Sequence, residues 1–278
     1  MFASADHSYK ESKFVIIGVP FDKTSSFRAG SLSGPRAVRS ASYCFEPYLM
    51  EHDVSLSDIA IHDSGDLERY DDVEKMGSDL RKRISDIVAD DKIPIVIGGE
   101  HSLSPFAVSG FEKRYDKIDV MVFDAHLDYR DEYEGLKNSH ATAVKRISEI
   151  GTVRDLKVLG VRSISEEESS VEKPNYFEVS ELDEGENDFS LTDDTPLYLS
   201  IDMDVFDPSY APGVGNPEPF GVKPGTVKKI LQRVSSKVVG LDIVETNPKY
   251  DVSEITSNLA ARLIYEFICS KKVSIKKK

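Results

Sequence analysis

A three-layer α/β/α architecture built on a mostly parallel sheet is the fold class this sequence predicts, and three observations carry the prediction. Short apolar, β-branched runs recur along the chain, segments with helical spacing alternate with them, and the most chemically capable polar residues fall just past the ends of the runs. Parallel strands buried on both faces read as continuous apolar runs. Alternation of strand and helix implies helices covering the sheet. In such sheets ligands bind beyond the carboxyl ends of the strands, so that is where chemistry is expected.

Taken in order, Phe14-Val-Ile-Ile-Gly18 reads as the first buried strand, and Val73 to Ala89 has helical spacing. Ile93-Pro-Ile-Val-Ile97 is a second strand, followed by a helix over Ser104 to Arg114. Ile118-Asp-Val-Met-Val-Phe123 is a third, followed by a helix over Ala141 to Ile150 and a strand at Leu156-Lys-Val-Leu159. The acidic stretch from Glu181 to Asp194 reads as an exposed loop or short excursion. Strands at Pro196 to Ile201 and Val238 to Val244 bracket a helix at Lys223 to Val234, and a last helix covers Glu254 to Cys269. The terminal KKVSIKKK is read as a solvated tail without function. With no internal repeat, low-complexity linker or long break, residues 1–278 are expected to form a single domain.

The composition, 40% hydrophobic and 30% charged, and the absence of any run near the roughly 18 apolar residues of a membrane span make the chain read as soluble and globular. The opening MFASADHSYKESK lacks a charged start, an apolar stretch and a small-residue cleavage site, so no secretory signal is read and a cytoplasmic location is expected. Cys44 and Cys269 lie far apart without CxxC spacing, which argues against a disulfide framework or thiolate metal site and for buried, reduced thiols. A formal net charge of −14 disfavours nucleic acid, which calls for clustered Lys and Arg, and suits a cationic small molecule.

Three strand ends carry the distinctive residues: Gly98-Gly99-Glu100-His101-Ser102, Asp124-Ala125-His126-Leu127-Asp128, and Ser200-Ile201-Asp202-Met203-Asp204. Side chains at i, i+2 and i+4 of extended chain share a face, so Asp124, His126 and Asp128 can converge, as can Asp202 and Asp204. With His101 they make two imidazoles and four carboxylates. Carboxylates packed together repel, and two divalent cations would neutralise them. Carboxylate oxygen with some imidazole favours Mn²⁺ and leaves iron, cobalt and zinc open.

Through GGEHS, DAHLD and the segment from Ser200 to Pro219, the chain resembles the ureohydrolases, the group of arginase and agmatinase. Gly18 to Asp22, Phe27 to Gly30, Gly34 to Arg39, Ser139 to Thr142 and Gly160 to Ser163 look like the agmatinase branch. The resemblance covers nearly the whole chain and implies an arginase-like sheet of about eight strands, with two Mn²⁺ per chain and a trimeric or hexameric homo-oligomer. One metal would take His101, Asp124, Asp128 and Asp202, and the other Asp124, His126, Asp202 and Asp204, with Asp124 and Asp202 bridging. A hydroxide shared by the two would attack the guanidinium carbon of agmatine, releasing urea and putrescine and thereby serving polyamine biosynthesis. Asp128 would help move its proton, His140 would protonate the leaving amine, and Glu245 would grip the guanidinium through paired hydrogen bonds.

The tail of the substrate is expected to be read by the loop after DAHLD, with Asp131, Glu132 or Glu134 attracting a distal ammonium and Arg130 either pairing with those acids or receiving a carboxylate. Lys23 and Ala29-Gly-Ser-Leu-Ser33 depart from the pattern of relatives, in a loop expected at the substrate mouth. Arginine, N1-aminopropylagmatine and guanidinobutyrate are alternative substrates. Two readings from other classes are a zinc deacetylase, whose tandem histidines this chain lacks, and a metal-binding scaffold without turnover, which would have lost a ligand.

Overall fold

The computed structural model describes residues 1–183 and 194–276. The exposed loop expected from Glu181 to Asp194 lies largely outside these residues, as do Lys277 and Lys278, but the rest of KKVSIKKK is not the solvated tail expected: it continues the last helix to Lys276, and Lys271 is buried and donates to the carbonyl of Ser236. Among the described residues the strands are β1 (Phe14–Val19), β2 (Tyr48–Leu49), β3 (Val54–Ser55), β4 (Ile61–Asp66), β5 (Ile93–Gly98), β6 (Ile118–Phe123), β7 (Val153–Val161), β8 (Asn175–Glu178), β9 (Leu197–Asp202) and β10 (Val238–Val244). The helices are α1 (Gly34–Ala41), α2 (Val73–Ala89), α3 (Ser104–Ser109), α4 (Ala143–Ser148), α5 (Glu166–Ser169), α6 (Val179–Asp183), α7 (Pro224–Val234) and α8 (Ile255–Lys276).

Eight strands form one sheet in the order β4-β1-β5-β10-β9-β6-β7-β8, and β2 and β3 form a separate hairpin. Every neighbouring pair in the large sheet is parallel. Alternate residues of β1 feed two cores. Phe14 and Ile16 pack in a layer with Val38 of α1, Leu231 of α7 and Ile264 of α8. Val15, Ile17 and Val19 face Leu80 and Ile84 of α2, Val108 of α3 and Val144 of α4. Each such fully buried aliphatic side chain contributes about 1.5–3 kcal/mol, so a strand apolar on both faces is stable only between two helical layers. That is the three-layer arrangement the runs predict.

The strands that sequence reading passed over are the two sheet edges and the hairpin. β4 reads Ile-His-Asp-Ser-Gly-Asp, and its buried Asp63 accepts from Nε and Nη2 of Arg39 and from the backbone N–H of Phe2. A strand held by an ion pair has no apolar signature. Helix α3 stops at Ser109, short of the expected Arg114, and the chain turns at Gly110, where a Cβ would lie 2.6 Å from that of Ile84. Of the two cysteines expected to be buried, Cys269 is and Cys44, in the turn after α1, is exposed. No described helix is long and apolar enough to cross a membrane.

Candidate metal centre and substrate cavity

Strand order brings the motif residues together. From β5 the chain crosses to β6 and leaves a gap two strands wide, which β9 and β10 later fill. The four central strands therefore end side by side at a switch point, where a crevice opens beyond the carboxyl ends. His101 follows β5, Asp124 to Asp128 follow β6, Asp202 ends β9, and Glu245 follows β10. Register aligns them, with Phe123 opposite Ile201 and Asp202 opposite Val244.

Nδ1 of His101 lies 3.0 Å from Oδ2 of Asp124, 3.2 Å from Oδ2 of Asp128 and 3.4 Å from Oδ2 of Asp202. Nδ1 of His126 lies 3.0 Å from Oδ2 of Asp204 and 3.6 Å from Oδ1 of Asp124. Two groups of three follow, His101-Asp124-Asp128 and Asp124-His126-Asp204, each with ligand atoms within 4.8 Å of one another and both containing Asp124. Oδ2 of Asp124 is buried and has no hydrogen-bond partner. One ring nitrogen cannot donate to three carboxylates, so the cluster is short of positive charge in a way that cations bound by oxygen and imidazole would meet. The donor set fits divalent metal ions.

Electrostatics agree. Burial, followed by repulsion from Asp204 and Asp124, pushes the Asp202 carboxyl well above the usual carboxylate range. Burial and Asp124 push Asp128 up to about 7. For His101, burial favours the neutral ring, but the carboxylates of Asp124 and Asp128 outweigh it and raise the pKa well above that of free imidazole.

The orientation of His101 is set from behind. Its Nε2 lies 3.1 Å from Oγ of Ser200, which donates its own proton to Oδ1 of Asp242 at 2.6 Å, while Tyr198 donates to the other oxygen at 2.7 Å. With that hydroxyl proton committed, Ser200 can only accept from Nε2–H, so the ring presents Nδ1 to the carboxylates, the nitrogen at which a metal ion would take the place of a proton. Nothing in the sequence signals this chain of groups: Ser200 and Asp242 meet only because the register of β9 and β10 sets them directly across from one another. On the other side, His126 Nε2 meets Nδ2 of Asn216 at 3.0 Å and Oε1 of Glu218 at 3.5 Å. Glu218 thus stands against the cluster, while Asp207 accepts from the N–H groups of Ser209 and Gly221 and holds the loop. Arg162 donates to the carbonyls of Gly160, Asp204, Val205, Glu218 and Pro219, which fastens the segment after β9.

A cavity of about 180 Å³ opens over the cluster, lined by His101, His126, Asp128, Asp202, Asp204, His140 and Glu245 and walled by Ser25 to Arg28, Arg130, Tyr133, Ser163 to Ser165, Glu168 and Asn216. Glu245, whose φ of 62° is in the left-handed region, accepts from the N–H of His101 through Oε1 at 2.9 Å. Its Oε2 lies on the Gly215 side, where a Cβ would come within 3.2 Å. Burial and then Glu100 push its carboxyl well up. Asp128 is also left-handed, with φ 48°; non-glycine residues in that region cost about 1–3 kcal/mol each and cluster where function demands them.

The acids expected to read the substrate tail are elsewhere. Asp131, Glu132 and Glu134 are exposed and none lines the cavity; Asp131 faces Lys145 at 3.5 Å. Glu134 sits in the turn between Tyr133 and Leu136 with a positive φ, and Asp131 and Glu132 face solvent ahead of it. Arg130 and Tyr133 do line the cavity, and Nε of Arg130 lies 3.9 Å from Oε2 of Glu168. Glu168, buried in the cap of α5, is the acid in the far wall that sequence reading missed. The loop of residues 23–33 reaches the mouth as expected, through Ser25 to Arg28, while Lys23 pairs with Asp71 outside.

Comparison with known proteins matches the arginase family over residues 12–269. The chain is 31% identical to an agmatinase of Bacillus subtilis, across 96% of this chain and 95% of that one. It is 33% identical to an N(1)-aminopropylagmatine ureohydrolase of Thermococcus kodakarensis, across 92% and 90%. The crystal structure of an agmatine ureohydrolase of Thermoplasma volcanium superposes with a TM-score of 0.92 at 36% identity, covering 99% of this chain and 95% of that one.

Proposed function

Because the chain belongs to the arginase family, we propose that it is an agmatinase, hydrolysing agmatine to putrescine and urea with two Mn²⁺ per chain. The carrying observation is one cavity that holds both the carboxylate–imidazole cluster and Glu245. His101, Asp124, Asp128 and Asp202 would hold one ion, and Asp124, His126, Asp202 and Asp204 the other. When bound, such a pair supplies hydroxide from water near neutral pH.

The side chains do the rest. Glu245 lines the cavity with one oxygen engaged by the His101 N–H and the other beside Gly215, so a guanidinium can pair with it and offset the burial, and then the repulsion from Glu100, that raise its pKa. Asp128 is placed to accept the proton that water loses. His140 lines the cavity, and burial pushes its imidazole down to about 4, so the ring is neutral at pH 7. It therefore takes up a proton from solvent before giving it to the departing nitrogen as the carbon–nitrogen bond breaks, while the proton that water loses to Asp128 returns to solvent, and the amine leaves protonated.

The single-domain organisation, cytoplasmic location and homo-oligomeric assembly belong to the same reading. The test is urea release from agmatine, arginine and N1-aminopropylagmatine by metal-stripped protein reloaded with Mn²⁺, with Asp202→Ala as control. Manganese-dependent release from agmatine, lost in the control, supports the proposal. Preference for the aminopropyl compound or arginine keeps the chemistry and replaces the substrate. No urea from any of them, with two ions bound, overturns it.

A further inference from the structure

The strand end Glu100 carries a carboxylate that the metal cluster does not use. It is fully buried, and it accepts from the backbone N–H of Thr24 at 3.1 Å, from Thr24 Oγ1 at 2.7 Å, and from Ser25 Oγ and Ser102 Oγ at 2.9 Å each. All of these donors are hydroxyls or backbone. A buried carboxyl left without its donors would cost about 1–3 kcal/mol or more, so these hydrogen bonds are not readily given up. It therefore determines the path of whatever it holds, which is the loop Thr24-Ser25-Ser26. The same loop is pressed onto the strand end at Gly99, where a Cβ would lie 1.9 Å from the carbonyl oxygen of Phe21.

That loop ends on His140. Oγ1 of Thr24, while donating to Glu100, accepts from the His140 backbone N–H at 3.0 Å. Two residues on, Oγ of Ser26 lies 3.2 Å from Nε2 of the same imidazole. Tyr133 closes a third side with its ring edge-on, centroids 5.4 Å apart. Nδ1 is buried and has no protein partner, so the hydroxyl at Nε2 is the protein contact that tells the two ring nitrogens apart. Ser26 is itself exposed, so its hydroxyl joins the imidazole to solvent.

We propose that Thr24 and Ser26, clamped by Glu100, are positioning residues that set the orientation and tautomer of His140, with Ser26 the route by which the ring exchanges its proton with solvent. The proposal rests on the reading that His140 handles the proton of the leaving amine. A hydroxyl-bearing loop at this point is thereby tied to turnover, while metal binding depends on other residues.

The experiment compares Thr24→Val, Thr24→Ser, Ser26→Ala and His140→Ala as manganese-loaded full-length enzymes, measuring kcat, KM, bound manganese and the ¹⁵N shifts of the His140 ring. A misplacement near 1 Å costs on the order of a hundredfold, so Thr24→Val and Ser26→Ala are expected to lose about tenfold to a hundredfold in kcat, with KM and metal content little changed. Thr24→Ser is expected to restore most of kcat, and Ser26→Ala to shift the tautomer signature. Ser26 is exposed, so its variant stays informative if Thr24→Val fails to fold. Near-normal kcat in both variants beside an inactive His140→Ala overturns the inference, as does a loss that tracks lost manganese or that Thr24→Ser does not rescue. A fully active His140→Ala instead overturns the reading of His140 itself.

Discussion

Ser200→Ala tests how the metal centre is held from behind. The serine oxygen is the acceptor for Nε2–H of His101, in a ring only 1% exposed. Removing it strands that N–H, at a cost of about 1–3 kcal/mol for an unsatisfied buried donor. It also takes one donor from Asp242, although Tyr198 continues to hold the other oxygen. The ring can recover by moving its proton to Nδ1, but that nitrogen then points a proton at the ions it should bind. Partners behind metal-binding histidines are typically worth 10–100-fold in affinity, or about 1.4–2.7 kcal/mol. The two figures agree, so manganese affinity should fall by one to two orders of magnitude while kcat at saturating manganese falls far less. Titration of metal-stripped protein, read by calorimetry and by restored urea release, measures both. An affinity within twofold of the parent would refute the claim that this hydrogen-bond chain orients His101.

Gly215→Ala places a Cβ 3.2 Å from Oε2 of Glu245 at a position with no left-handed backbone requirement, so it perturbs the carboxylate without straining the chain. KM for agmatine should rise several-fold, up to about tenfold, with manganese binding unchanged; a loss of manganese would point to collapse of the site instead. Replacing Asp131, Glu132 and Glu134 together by alanine should change kcat/KM for agmatine less than about threefold, because exposed side chains outside the cavity are screened; a large loss for agmatine over arginine would restore them to the substrate site. His140 makes the folded protein sensitive to acid. Its folded pKa of about 4 lies below the ordinary 6.5, so the unfolded chain binds a proton that the native chain refuses, and stability is lost as pH falls from 6.5 through 4. At 1.36 kcal/mol per unit the upper limit is about 3 kcal/mol. In metal-free urea unfolding at pH 7 and pH 4.5, His140→Asn should lose less stability on acidification than the parent, and equal losses would contradict the assignment.

Much of this was legible before any coordinates. Apolar runs announce strands that need two covering layers, which is why the six interior runs became interior strands of the sheet. Edge strands β4 and β8 escaped because one side of each has no neighbour and their residues answer to ion pairs and solvent. The ligand-type residues stood out because polar, metal-binding side chains follow apolar runs at the ends of strands; the period-two geometry expected of them does not hold there, since Asp128 is left-handed, Asp204 sits in a 3-10 turn, and His126 and Asp128 fall in different groups. Those are local rules, and a chain states them locally.

What only the tertiary structure decided concerns groups distant in sequence. Insertion of β9 and β10 between β5 and β6 brings His101 against Asp124 and Asp202 and sets Ser200 and Asp242 behind the ring. Asp131, Glu132 and Glu134 face solvent, while Glu168, from the helix α5, enters the cavity wall. The loop from Thr24 to Ser26 meets His140, more than a hundred residues on, because a buried Glu100 holds it there. Periodicity reports which way a side chain points from its own strand; what it meets depends on strand order and loop path, and those follow from the packing of the whole chain.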